Sequence, residues 1–156
     1  IPAARLVGKR GLVYAVDVKE FALADLRQKK NAEDLTNLRL IKTTGELTLP
    51  VENGIIDVAL LYDVLQFFEK PERKKLYREI WRILKQGGLL SVYPKHTLED
   101  NPLMEFQDMT IERLTKEIQV AGFVFEKKYC DFLSHDDGLI KGCVFNFRKH
   151  GGEYYD

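Results

Sequence analysis

The chain alternates between two kinds of apolar pattern: short, nearly continuous runs that suit buried strands, and longer stretches with apolar positions three and four apart that suit helices. Residues 1–7 read as the tail of a helix, and Gly8, Lys9, Arg10 and Gly11 as its stop, because glycine accepts the left-handed conformation that closes helices. Leu12 to Val16 reads as a strand. Lys19 to Lys30 then reads as a helix, with Ala22 and Leu26 on one face and a basic end where the dipole favours cations. Asn37 opens a short strand, Leu38 to Lys42, and a loop from Thr43 to Gly54 leads to Ile55 to Tyr62. That last run is almost uninterrupted in apolar character, so helices are expected over both its faces.

Further along, Leu76, Ile80 and Leu84 fall four residues apart, flanked by Tyr77 and Trp81, with Pro71 in the first turn. This helix is expected to stop at Gln86, Gly87 and Gly88, before a strand from Leu89 to Tyr93. Ile111, Leu114 and Ile118 mark another helix, from Thr110 to Val120, ended by Gly122. Two strand-like runs follow, joined by a turn at Asp136 and Asp137, with Phe123, Phe125, Phe145 and Phe147 alternating as hairpin core. The reading is an α/β fold: a doubly wound, mostly parallel sheet with an antiparallel hairpin at its carboxyl end.

At 156 residues the chain fits one domain, taken as 1–150, with a loose tail at 151–156. Its 24 basic and 24 acidic residues cancel, which argues against nucleic acid as a main partner, since that requires a positive stripe. The run Arg73, Lys74, Lys75 reads instead as the solvated face of a helix. No apolar run approaches the roughly 18 residues of a membrane span, and a soluble, cytoplasmic protein is expected. Cys130 and Cys143 lie symmetrically about the Asp136–Asp137 turn, so they face each other across the hairpin. With His135 they suggest zinc, but a fourth ligand is lacking; buried free thiols and no metal are the expectation.

The run Gly11 to Asp17 ends in a carboxylate. In open α/β sheets ligands sit beyond the carboxyl ends of the strands, and an acid closing the second strand is placed to accept both hydroxyls of a ribose. The competing role for Asp17 is a cap for the helix that follows. The glycine-rich turn of such a site lies about 20 residues upstream of the acid, and only sixteen residues precede Asp17, without a GxGxG. The expectation is that a first strand and that turn precede Ile1. Asp63 and His96 follow the runs ending at Tyr62 and Tyr93, where this topology puts a ligand, and are candidate proton acceptors. Asp63 can equally cap a short helix through Leu65, and His96 can be an ordinary loop histidine.

Four stretches carry a resemblance: IPAARLVGKRGLVYAVDV, GELTLPVENGIIDVALLYDVLQFF, LYREIWRILKQGGLLSV and the terminal hairpin. In that order they resemble class I S-adenosylmethionine-dependent methyltransferases of the type 11-like methyltransferase-domain group. The resemblance implies a Rossmann-like sheet of order 3-2-1-4-5-7-6, S-adenosylmethionine as methyl donor with S-adenosylhomocysteine as product, and a small-molecule acceptor. It also implies that Asp17 holds the ribose, Val18 packs near the adenine, Glu46 and Leu47 lie beside the adenine ring, and Tyr62 lines the methionine part. Two departures stand out: Gly45 occupies the family's usual adenine-carboxylate position, and Gln66 and Phe67 replace a histidine pair. The alternatives are a catalytically degenerate cofactor- or partner-binding domain of the same fold, and an NAD-dependent oxidoreductase.

Overall fold

The computed structural model describes residues 1–135 and 138–151. The expected turn at Asp136 and Asp137, and residues 152–156 of the expected tail, lie outside the described residues. The chain divides into two compact units, Ile1–Leu49 and Pro50–Asp156. No helix among the described residues is long and apolar enough to cross a membrane.

In the first unit, Pro2 opens α1 (Pro2–Val7), where its missing N–H is not needed, and Gly8 closes it at φ 67°. β1 (Val13–Asp17) and β2 (Leu38–Lys42) pair in parallel from Val13–Leu38 to Asp17–Lys42, with α2 (Glu20–Ala32) as the crossover. The Asn37 amide donates to the carbonyls of Ala4 and Gly8 at 2.7 and 2.8 Å, satisfying acceptors that the end of α1 leaves open. Ala4, Leu23 and Leu38 form the buried core, while Phe21 stays 73% exposed.

The second unit is built on a sheet of order β3-β4-β6-β5. β3 (Ile56–Tyr62) pairs in parallel with β4 (Leu84–Tyr93) through α3 (Lys70–Ile83), and β6 (Gly138–Lys149) runs antiparallel to both β4 and β5 (Phe123–His135). Among the described residues the ladders therefore form two sheets, β1-β2 and β3-β4-β6-β5. α3 starts with a capping box in which the Glu69 N–H donates to the Glu72 carboxylate at 2.8 Å. At its other end the Lys149 ammonium donates to the carbonyls of Trp81 and Leu84 and lies 3.8 Å from the Trp81 ring centre. Burial holds that ammonium below the usual lysine range. α4 (Ile111–Val120) is capped by the Thr110 hydroxyl, which accepts from the Arg113 N–H.

Several expectations are corrected. α3 stops at Ile83, not at the glycines, because Leu84 is fully buried, extended, and paired with Ile56 on β3. β3 is not covered on both faces: Ala59 and Leu61 are buried, whereas Val58 and Leu60 are about half exposed. Arg73 is not on a solvated face. It is 2% exposed and forms a two-pronged bond to Glu117 of α4 at 2.8 and 3.0 Å, with a third donor on the Phe68 carbonyl. Phe123 and Phe147 are buried as expected, whereas Phe125, paired with Phe147 and 5.6 Å from its ring, stays 38% exposed and Phe145 is half-buried. Cys130 and Cys143 do face each other across the hairpin, yet they are joined as a disulfide rather than buried as free thiols. Directly opposed residues of an antiparallel pair lie close enough for that bond, here with Cα atoms 4.0 Å apart.

The Arg73–Glu117 pair ties α3 to α4 with little solvent around either group, side chains 3% and 10% exposed. Glu117→Ala leaves a buried guanidinium uncompensated, and the expected loss of stability is about 3–5 kcal/mol. Urea unfolding of Glu117→Ala and of Arg73→Met with Glu117→Leu checks this. The single change should lower the midpoint markedly, and the apolar double change should recover most of it.

Candidate functional site

The parallel neighbours β3 and β4 finish in register, Tyr62 opposite Tyr93. The Asp63 N–H extends the ladder by one bond, to the Tyr93 carbonyl at 2.9 Å, and the backbone then turns to φ 54° at Asp63. An aspartate tolerates that left-handed region better than most side chains, at a cost that the surrounding bonds must offset. Gln66, in the short helical turn Leu65–Phe67, is buried and donates its amide to the Asp63 carboxylate at 2.8 Å and to the Asp63 carbonyl at 3.2 Å. Asp63 is thereby held from both its backbone and its side chain.

His96 lies three residues beyond β4, also left-handed at φ 60°. The loop around it is laced to itself: the Lys95 ammonium bonds the Asp100 carboxylate, Asp100 N–H reaches Thr97 at 2.8 Å, and Leu98 N–H reaches Met109 at 2.7 Å. Burial works to raise the Asp100 carboxyl, but the bond and charge of Lys95 outweigh it and hold the group below the usual carboxylate range. His96 Nδ1 sits 3.2 Å from the Asn101 carbonyl, which can only accept. The ring therefore donates from Nδ1 and turns Nε2 toward Asp63, 3.9 Å from the carboxylate. His135, at the end of β5, donates from Nδ1 to the other Asp63 oxygen at 2.9 Å. The two imidazole centres are 5.2 Å apart.

The structure thus brings Asp63 and His96 together and adds His135. In sequence His135 stands beside the cysteines, and only the long hairpin carries it back to the carboxyl ends of β3 and β4. One ligand atom from each of the three lies within 4.8 Å of the others. Below them, Tyr93 is buried and packs edge-on to Tyr62 at 6.1 Å. Burial raises the Tyr93 phenol, and the Asp100 and Asp63 charges push it further the same way. Tyr62 is 41% exposed and its hydroxyl pairs with Ser91 at 2.9 Å.

In the first unit, Asp17 closes β1 half-buried, with Oδ1 accepting from the Lys19 N–H at 2.8 Å. That is the turn-forming bond expected of an aspartate ahead of a helix, and it engages one oxygen of the carboxylate. Val18 is exposed, and Leu47 is half-buried in the following loop. The exposed Glu46 accepts from Thr44, a bond that holds its carboxyl below the usual range.

Residues 2–92 match the family described as "Methyltransferase domain", more than half of the chain. The chain belongs to that family. Among curated relatives, the ubiquinone/menaquinone biosynthesis C-methyltransferase UbiE of Yersinia enterocolitica is 25% identical over 147 residues, 94% of this chain and 53% of that protein. The chain therefore spans about half the length of the curated relatives it matches. Among solved structures, a SAM-dependent methyltransferase from Methanosarcina mazei superposes with a TM-score of 0.73 at 16% identity, covering 95% of this chain and 86% of that one. The [4+2]-cyclase SpnF gives 0.70 at 16% identity, covering 97% and 71%. Both likenesses show the mixed α/β methyltransferase fold.

In the ion-free methyltransferase domain the His135–Asp63 bond should give a slowly exchanging, low-field Nδ1 proton in the NMR spectrum. Asp63→Ala is expected to remove that signal. Its persistence would mean that His135 is bonded elsewhere.

Proposed function

We propose that this chain carries an S-adenosylmethionine-dependent methyltransferase activity toward a small-molecule acceptor. The observation that carries the reading is the family match over residues 2–92, which includes both Asp17 and Tyr62. The Asp17 carboxylate suits a ribose diol: it ends a strand, is only half-buried, and is steadied through Oδ1 by a backbone donor. Val18, Glu46 and Leu47 are the proposed adenine contacts, and Tyr62 the contact to the methionine part. Residues 1–150 are taken as one functional domain, cytoplasmic in location.

When bound, the cofactor supplies an electrophilic methyl group on a sulfonium. Displacement at that carbon needs no protein nucleophile, so this chain's residues position the partners and keep water out. A proton must be handled where the acceptor is an oxygen, nitrogen or carbon acid, and Asp63 and His96 are the proposed groups for it. His135 donates to Asp63 and orients its carboxylate. Gly45 in the adenine loop, Gln66 and Phe67 after β3, and a likeness to a protein titled a cyclase favour one second reading: a domain of this fold that binds the cofactor without methylating.

Calorimetry with S-adenosylhomocysteine tests the first step. Asp17→Ala is expected to weaken binding about 10- to 100-fold, the worth of hydrogen bonds to a charged group. Tight NADH binding without S-adenosylhomocysteine binding would overturn the proposal, and binding without methylation of any candidate acceptor would favour the second reading.

A further inference from the structure

Asp63, His96 and His135 have the makeup of an acid–base relay, but the geometry points to a different use. We propose that the three side chains form a binding site for a single divalent transition-metal ion of the zinc class, open at its fourth position. The donor set is two imidazole nitrogens and one carboxylate oxygen, the combination that suits zinc and its neighbours rather than magnesium or calcium, which prefer oxygen alone.

Spacing comes first. Zinc holds nitrogen and oxygen ligands at about 2.0–2.2 Å, which puts tetrahedral ligand atoms roughly 3.3–3.5 Å apart. Asp63 Oδ2 lies 2.9 Å from His135 Nδ1 and Asp63 Oδ1 lies 3.9 Å from His96 Nε2, and one ligand atom from each of the three residues lies within 4.8 Å of the others. Closing the widest of these separations to that spacing takes side-chain movement of about an ångström. Orientation comes second. With Nδ1 donating to the Asn101 carbonyl, His96 turns Nε2 toward a carboxylate oxygen.

The outer layer fits as well. Metal-bound histidines characteristically donate their other nitrogen to a carbonyl or carboxylate, and bound carboxylates are themselves hydrogen-bonded. His96 has the Asn101 carbonyl, and Asp63 has the buried Gln66 amide on Oδ1. Both Asp63 and His96 sit at left-handed backbone positions that neither residue adopts without cost, the kind of stored strain that collects at functional sites. The side chains keep 31%, 15% and 12% of their surface, enough for an ion to enter and for a fourth ligand to remain outside the protein.

Three protein ligands with one open position is the pattern of catalytic rather than structural zinc. An acceptor hydroxyl bound there forms a metal–oxygen bond, and its O–H proton leaves more readily to water. The ion thus takes over the proton handling assigned above to Asp63 and His96. The site itself stands on the second unit alone, and its test requires no cofactor, so its failure and the failure of the methyltransferase reading are separable.

The test is titration of untagged full-length protein, with the Cys130–Cys143 bond intact, with Co²⁺ as a spectroscopic stand-in for Zn²⁺. A 1:1 complex with the intense visible bands of four-coordinate cobalt is expected, displaced by Zn²⁺ and unaffected by Mg²⁺ or Ca²⁺. His96→Gln and His135→Gln should each weaken binding by more than the roughly 10–100-fold that loss of an outer-layer partner costs. His150→Gln, on the third histidine of this sequence, should leave it unchanged. In the wild type, Zn²⁺ should shift the ring signals of His96 and His135 in the NMR spectrum and spare His150, a readout that does not depend on how the variants fold. Absence of cobalt bands at micromolar protein, or zinc shifts that miss His96 and His135, would overturn the proposal.

Discussion

The parallel ladder between β3 and β4 is the constraint on which the candidate site rests. It runs from Ile56–Leu84 to Tyr62–Tyr93 and is carried one bond further by the Asp63 N–H. A parallel pair must bring both carboxyl ends to the same edge, so the residues that follow Tyr62 and Tyr93 emerge side by side. Asp63 and His96 meet for that reason, although they stand 33 positions apart in the chain. The backbone can afford left-handed turns at both residues because the ladder, the Gln66 amide and the laced loop after β4 hold them there.

Buried cations in the second unit are bonded to carboxylates or to carbonyls. Arg73 meets Glu117 and the Phe68 carbonyl, and Lys149 meets the last carbonyls of α3. A cation out of water is tolerated only when its donors are used, and here each fixes one element to another: α3 to α4, and the end of α3 to β6. The hairpin is different in kind. Much of β5 is exposed, and the hairpin's constraint comes from the long β5–β6 ladder and the disulfide across it. This arm carries His135 to Asp63.

Much of the element order was readable from apolar spacing. The helix bounds near 70 and 111, the strands at Leu38–Lys42 and β3, and the terminal hairpin all follow from period and from glycine and proline placement. The failures have physical causes. Leu84 fits the helical spacing as well as the strand, and only its pairing with Ile56 decides. Arg73 looks like part of a charged face because the carboxylate that permits its burial comes from another helix. Phe125 obeys the alternation of its strand and meets Phe147, yet it stays 38% exposed, because burial depends on what packs over a sheet face and not on alternation alone.

By itself the amino-acid order determined the α/β class, the alternation of strands and helices and the family, because these depend on local period and on motifs contiguous in the chain. It also marked Asp17, Asp63 and His96, since a polar group just beyond an apolar run must stand at a strand end. Only the tertiary structure decided that His135 joins Asp63, that the cysteines are bonded, and that Arg73 is buried. Each of these depends on a partner from 13 to 72 positions away, and such distances are set by ladder register and helix packing rather than by any local pattern.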